Sequence, residues 1–137
     1  MNGMRAIVCR QPGELTLEER PLPERGPDQV LLGIRRIGIC GTDYHIFEGL
    51  HPFLQYPRVM GHELSADVLE APKGSAFKPG DSVIVIPYLF CGTCVACRRG
   101  RTNCCTTLAC LGVHCDGGRN LLRLADHLHA VRRSFDE

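Results

Sequence analysis

The sequence predicts a mostly-β barrel of short strands with a metal-pinned loop, and three observations carry that prediction. Fifteen Gly and nine Pro among 137 residues favour short strands joined by turns over long helices. Apolar residues fall into short alternating or β-branched runs, and nowhere does a helical period persist for three turns. Five cysteines crowd into residues 91–105, at a spacing that can turn several sulfurs toward one soft cation.

The first run, residues 4–9, is apolar and is stopped by Gln11-Pro12-Gly13. Residues 15–18 alternate, as a half-buried strand does. Pro21, Pro23 and Pro27 make the next stretch an extended connector. Residues 30–39 are the strongest strand, rich in branched side chains, with Gly33 and Gly38 marking bends or bulges. Thr42 can then cap a short helix running through Phe47. After a proline-containing loop, residues 64–69 alternate again, and Pro79-Gly80-Asp81 signals a turn. Val83, Ile84, Val85 and Ile86 read as a strand buried on both faces. Past the cysteines, residues 108–113 and 121–131 read as further strands separated by Asp116-Gly117-Gly118. Residues 1–137 are expected to form one domain, with the cysteine lobe at about residues 88–106.

A formal net charge of +1 argues against a polyanion partner and a strongly acidic substrate. The N-terminus lacks the apolar core of a signal peptide, and no run approaches the length of a membrane span. Nine cysteines in such a chain point to a reducing compartment, the cytoplasm, with metal rather than disulfides as their use. Arg98, Arg99 and Arg101 raise the idea of a nucleic-acid-binding zinc ribbon. They serve better to balance four thiolates around one Zn²⁺, and the overall charge leaves little electrostatic footprint.

Cys91, Cys94 and Cys97 recur at every third residue, and Cys104 and Cys105 follow a short basic loop. Spacing alone does not choose between Cys104 and Cys105 as the fourth ligand. Four thiolates with no open position make a structural zinc site. Cys40 and His62 stand apart, each beside a glycine at a strand-to-turn boundary. A catalytic zinc takes three protein ligands and keeps one position open. Glu63 can add a carboxylate or outer-sphere support, although neighbours on a strand point to opposite faces. Taken singly, Cys40 suits a small buried apolar residue, His62 a satisfied core histidine, Thr42 a helix cap and Asp43 a first-turn acid. Taken together they suit proton transfer: Thr42 can accept a proton, His45 can carry it outward, and Asp43 can fix the tautomer of a metal-bound imidazole. Arg35 and Arg36 read as one solvated face and one paired side chain. Cys9, Cys104, Cys110 and Cys115 have no assignable role, and His51, His127 and His129 give no signal.

Gly38-Ile-Cys40-Gly-Thr-Asp43-Tyr-His45, then Gly61-His62-Glu63, then the cysteine lobe, together resemble the zinc-containing medium-chain dehydrogenases. The resemblance is strongest to the polyol, sugar-acid and threonine dehydrogenase branch. It covers the chain from Met4 to about Gly118 and corresponds to that family's N-terminal GroES-like domain. It implies that Cys40, His62 and Glu63 belong to a catalytic zinc, and that Cys91, Cys94, Cys97 and Cys105, rather than Cys104, hold the structural one. It also implies that Thr42 and His45 relay a proton, that Asp43 supports the zinc histidine, and that Tyr44 and Phe47 fall near a substrate pocket. The implied chemistry is oxidation of a small alcohol or polyol, with hydride passing to NAD or NADP.

No Gly-x-Gly-x-x-Gly stands between a strand and a helix, so a Rossmann cofactor domain is not expected within these residues. By resemblance, the third catalytic-zinc ligand also lies beyond Glu137. After Gly118 the family pattern gives way to Arg119-Asn120-Leu121 and resumes weakly at Ala125-Asp126-His127. The expectation is the catalytic-domain portion of a dehydrogenase, inactive without its cofactor half. The competing expectation is a non-catalytic zinc-binding or interaction module, and because the family's lobe lies near subunit contacts, self-association suits either.

Overall fold

A computed structural model of the chain describes residues 3–118, 121–123 and 130–132. Strands β1 (Gly3–Gln11) and β2 (Glu14–Pro21) form a hairpin whose turn places Gly13 at φ 79°, and β4 (Arg58–Val59) joins β1 on its other side. The main sheet has the order β10 (Ala130–Arg132), β6 (Ser82–Val85), β5 (Glu63–Glu70), β3 (Gln29–Gly38), β9 (Leu121–Arg123), all antiparallel. A ribbon of β7 (Tyr88–Leu89) and β8 (Ala109–Cys110) forms the stalk from which the cysteine lobe hangs. Among the described residues these are three separate sheets. Together they are the mostly-β fold of short strands that the sequence predicts, and among the described residues they do not close into a barrel.

One face of the main sheet makes the principal core: Val30, Leu32, Leu64, Ala66, Val68, Val83 and Val85, all buried. Leu64 and Val68 are 2% exposed, and each such side chain contributes about 1.5–3 kcal/mol by leaving water. The register slips between Ile34 and Arg36, so a bulge carries both Arg35 and Arg36 away from this core. The expectation of a strand buried on both faces fails at β6, whose burial alternates. Ile84 is 48% exposed because it turns toward an open cleft beside Cys40 and His62. Of residues 108–113, β8 comprises only Ala109–Cys110. The run expected at 121–131 is two short strands, and residues 124–129 lie outside those described.

Helix α1 (Gly41–Glu48) follows β3 directly and is locked by a second core of Cys9, Ile46 and Val113. Its N-cap is Cys40, not Thr42. The Cys40 N–H donates to the Asp43 carboxylate at 3.0 Å, satisfying a donor that the helix start exposes. Gly49 closes the helix at φ 78°, and the Tyr56 hydroxyl donates to the Ile46 carbonyl. The N–H of Gly13 donates to the Phe47 carbonyl at 2.7 Å, tying the hairpin turn to the helix.

Two predictions follow from this packing. Ile46 is fully buried, so Ile46→Ala should cost about 2–5 kcal/mol, read as a lower denaturant midpoint with an unchanged slope. On the solvated face, Arg35 donates to Asp67 at 2.5 Å and the Ser82 hydroxyl donates at 3.0 Å, holding the Asp67 carboxyl below its usual value of 3.8. The stabilisation of such a depressed carboxylate is complete above its unfolded pKa and is lost as pH falls through the folded one. The small advantage of the wild type over Arg35→Ala at pH 6 should therefore narrow below about pH 4 and vanish in stronger acid.

Candidate metal centres

The cysteine lobe is built from backbone geometry. Cys94 caps the single turn α2 (Val95–Arg98), and the Cys97 N–H points at the Cys94 sulfur at 3.5 Å. The Cys94 N–H points at the Cys91 sulfur at 3.3 Å, and the Cys91 N–H at the Cys105 sulfur at 3.3 Å. Such N–H donors favour thiolate over thiol. The 3-10 turn Thr102–Cys104 swings the chain back so that Cys105 is buried among the others while Cys104 faces solvent. The sulfurs of Cys91, Cys94, Cys97 and Cys105 all lie within 4.8 Å of one another, with Cys105 to Cys91 at 3.6 Å.

Electrostatics divides three of these thiols. Hydrogen bonds from Thr93, and then from the Cys94 backbone, bring Cys91 down to about 5. The backbone N–H groups of Cys97 and Thr106 bring Cys94 to about 7. Desolvation and the neighbouring sulfurs push Cys97 up to about 12. Four negative sulfurs at these separations repel strongly, and only a soft cation can let all of them ionise together. The residues present suit zinc.

The second centre joins two elements. Cys40 ends the β3 connection and His62 precedes β5, yet the Cys40 sulfur lies 3.1 Å from His62 Nε2. Gly61, at φ 97°, makes the turn that delivers the imidazole, and a side chain there would strike Ile37. The loop Asp116-Gly117-Gly118 braces this turn from behind: Gly117 donates to the Val59 carbonyl at 2.8 Å and Gly118 to the Gly61 carbonyl at 3.3 Å. A side chain on Gly117 would overlap the Gly61 carbonyl, and Asp116 anchors the loop by pairing with Arg58 at 3.3 Å. The sequence offered Gly117 and Gly118 only as a strand separator; their part in seating His62 depends on contacts across more than fifty positions.

Asp43 is 6% exposed and His62 8% exposed, and Asp43 Oδ1 lies 3.9 Å from His62 Nδ1. That is longer than a hydrogen bond, and both atoms are buried without a partner. The imidazole is thus flanked by a carboxylate on one nitrogen and a sulfur on the other, the arrangement in which a metal-bound histidine is held by an acid. A carboxylate oxygen of Glu63 lies within 4.8 Å of the Cys40 and His62 ligand atoms. This donor set also suits zinc, with an open side.

That side is a cleft of about 620 Å³, lined by Cys40, Thr42, His62, Glu63, Arg36 and Tyr88, among others. Thr42 therefore borders the centre. His45 does not line the cleft; it is exposed on α1. Tyr44 and Phe47 line a different, apolar groove against the β1–β2 hairpin, not the cleft of Cys40 and His62. Two residues to which the sequence gave no part in the site, His51 and Arg36, belong near this region. His51 is held below its usual 6.5, first by burial and then by the neighbouring His114, His45 and His62. Arg36 stands on the cleft wall.

Comparison with known proteins places these sites in context. The family described as the alcohol dehydrogenase GroES-like domain matches residues 26–132. The L-galactonate-5-dehydrogenase of Escherichia coli is 45% identical over 119 residues, covering 86% of this chain and 35% of that protein. The D-altritol 5-dehydrogenase of Agrobacterium fabrum is 37% identical over 132 residues, covering 93% and 39%. An alcohol dehydrogenase of Escherichia coli, solved in complex with NADH, superposes with a TM-score of 0.83 at 35% identity, over 98% of this chain and 40% of that one. The chain thus spans somewhat over a third of the length of these relatives. Among the described residues no helix is long and apolar enough to cross a membrane.

The thiol pattern generates its own test. In the presence of a chelator at pH 7, Cys91 should alkylate first. Cys110, raised to about 11 by burial, should alkylate among the last, as peptide mapping of timed iodoacetamide reactions would read.

Proposed function

We propose that this chain, which belongs to the alcohol dehydrogenase GroES-like domain family, is the metal- and substrate-binding part of a zinc-dependent NAD(P) dehydrogenase of alcohols or polyols. The observation that carries the proposal is the Cys40 sulfur facing His62 Nε2 at 3.1 Å while Nδ1 is turned to the buried Asp43. Dehydrogenases of sugar acids and polyols among the relatives support the substrate class.

In this reading residues 1–137 act as one domain whose lobe, about residues 88–106, is held in shape by one zinc on Cys91, Cys94, Cys97 and Cys105. Cys40 and His62 hold a second zinc, with Glu63 as a further ligand or support. When bound there, zinc supplies Lewis acidity toward a substrate hydroxyl. The remaining work falls to side chains. Asp43 keeps the His62 proton on Nδ1 so that Nε2 presents its lone pair. Thr42, on the cleft wall, accepts a hydrogen bond from the substrate hydroxyl and, as it takes that proton, gives up its own hydroxyl proton toward His45. His45, exposed on the next turn of α1, returns that proton to solvent. These residues carry no Gly-x-Gly-x-x-Gly between a strand and a helix to hold a nicotinamide dinucleotide, so in this reading they do not by themselves turn over alcohols.

Metal analysis tests the reading. The purified chain should hold about two zinc ions; Cys40→Ser and His62→Ala should each leave one and keep the fold, whereas Cys105→Ser should lose the other and loosen the lobe. Asp43→Asn should weaken the second ion by about 10–100-fold with the first unchanged. A wild-type chain that holds one ion, retained in Cys40→Ser, would mark a zinc module without a catalytic centre.

A further inference from the structure

The cleft contains one cation that the dehydrogenase chemistry does not use. Past the bulge in β3, Arg36 sits opposite Ser65 of β5, and Ser65 sits opposite Ile84 of β6. All three line the cleft that holds Cys40, Thr42 and His62. The same bulge sends Arg35 to Asp67, while Arg10, Arg20, Arg25 and Arg58 each have an acidic partner. Among the described residues Arg36 has none. Glu63 shares the cleft, but its carboxylate lies with the Cys40 sulfur and the His62 ring. A thiolate and a carboxylate on the wall offset a divalent cation, and Asp43 stands behind His62 and does not line the cleft, so Arg36 is the cation that an anion entering the cleft meets.

We propose that Arg36 is the specificity-determining residue of this cleft, favouring a polyhydroxy substrate that carries a carboxylate over its neutral polyol counterpart. This rests on the reading of the cleft as the substrate site. A guanidinium presents a planar fork that meets a carboxylate with two parallel hydrogen bonds, a geometry no neutral hydroxyl can match. The Ser65 hydroxyl beside it can bond a substrate hydroxyl, and the exposed flank of Ile84 can take a carbon chain. A substrate lying from Arg36 toward Cys40 and His62 would place its charged end on the sheet and an inner or distal hydroxyl at the metal centre.

The test is binding of galactonate and galactitol to the zinc-loaded chain at low salt, by titration calorimetry and amide shift mapping. Galactonate should bind about tenfold more tightly than galactitol. Arg36→Ala should erase that preference, Arg36→Lys should keep part of it, and galactitol affinity should be alike in all three. Equal affinities, a preference that survives Arg36→Ala, or no binding of galactonate would overturn the proposal. So would Arg36-dependent binding of NAD without any of galactonate, which would assign the cation to a dinucleotide phosphate. The two ideas fail separately. One zinc per chain with an Arg36-dependent preference sinks the catalytic centre and keeps the anion site; two zincs without a preference do the reverse.

Discussion

A thiol and an imidazole held 3.1 Å apart, with the far imidazole nitrogen turned to a buried carboxylate, form the contact around which this fold is arranged. Neither Cys40 nor His62 reaches the other through local sequence. Cys40 is fixed because it is at once the end of a strand and the cap of α1, and α1 is pinned by the fully buried Ile46. His62 is fixed because Gly61 can take a left-handed turn and because Gly117 lets a second loop press against that turn. Unsatisfied buried atoms on Asp43 and His62 are costly in a folded protein, and such groups persist where something further completes them.

The two centres differ in what surrounds them. In the lobe, backbone N–H groups approach the sulfurs in succession, and four sulfurs face one another within 4.8 Å. The Cys40 and His62 pair lies instead where two inner strands, β3 and β5, meet an open cleft, and the residues bordering it include a hydroxyl, a carboxylate, a guanidinium and a phenol. One arrangement suits holding a shape, the other meeting a ligand. The chain itself links the two: β6 of the main sheet ends at Val85 on the wall of the Cys40 and His62 cleft, and the separate β7–β8 ribbon that follows carries the cysteine lobe.

Net charge is a poor guide to this cleft. The value of +1 averages over paired arginines and acids spread across the surface. An anion within the cleft meets Arg36, and a bulge in β3 decides which of two adjacent arginines faces it. The sequence reading gave one paired and one solvated arginine, and Arg35 is the paired one. Its partner's place on the cleft wall depends on β5 and β6, which lie beside β3 only after folding.

By itself the sequence determined the chemistry that is available: the cysteine spacing, the Cys40 to His45 run, Gly61-His62-Glu63, and strands wherever branched residues alternate. Those signals are local, because ligand spacing and strand period span only a few residues. Tertiary structure decided what local signals do not contain. It moved the helix cap from Thr42 to Cys40 and turned Ile84 out of the core. It also carried Tyr44 and Phe47 away from the cleft and brought Arg36 into it. Each of these depends on which strands pair and which loops brace one another, and those are contacts between residues distant in the chain.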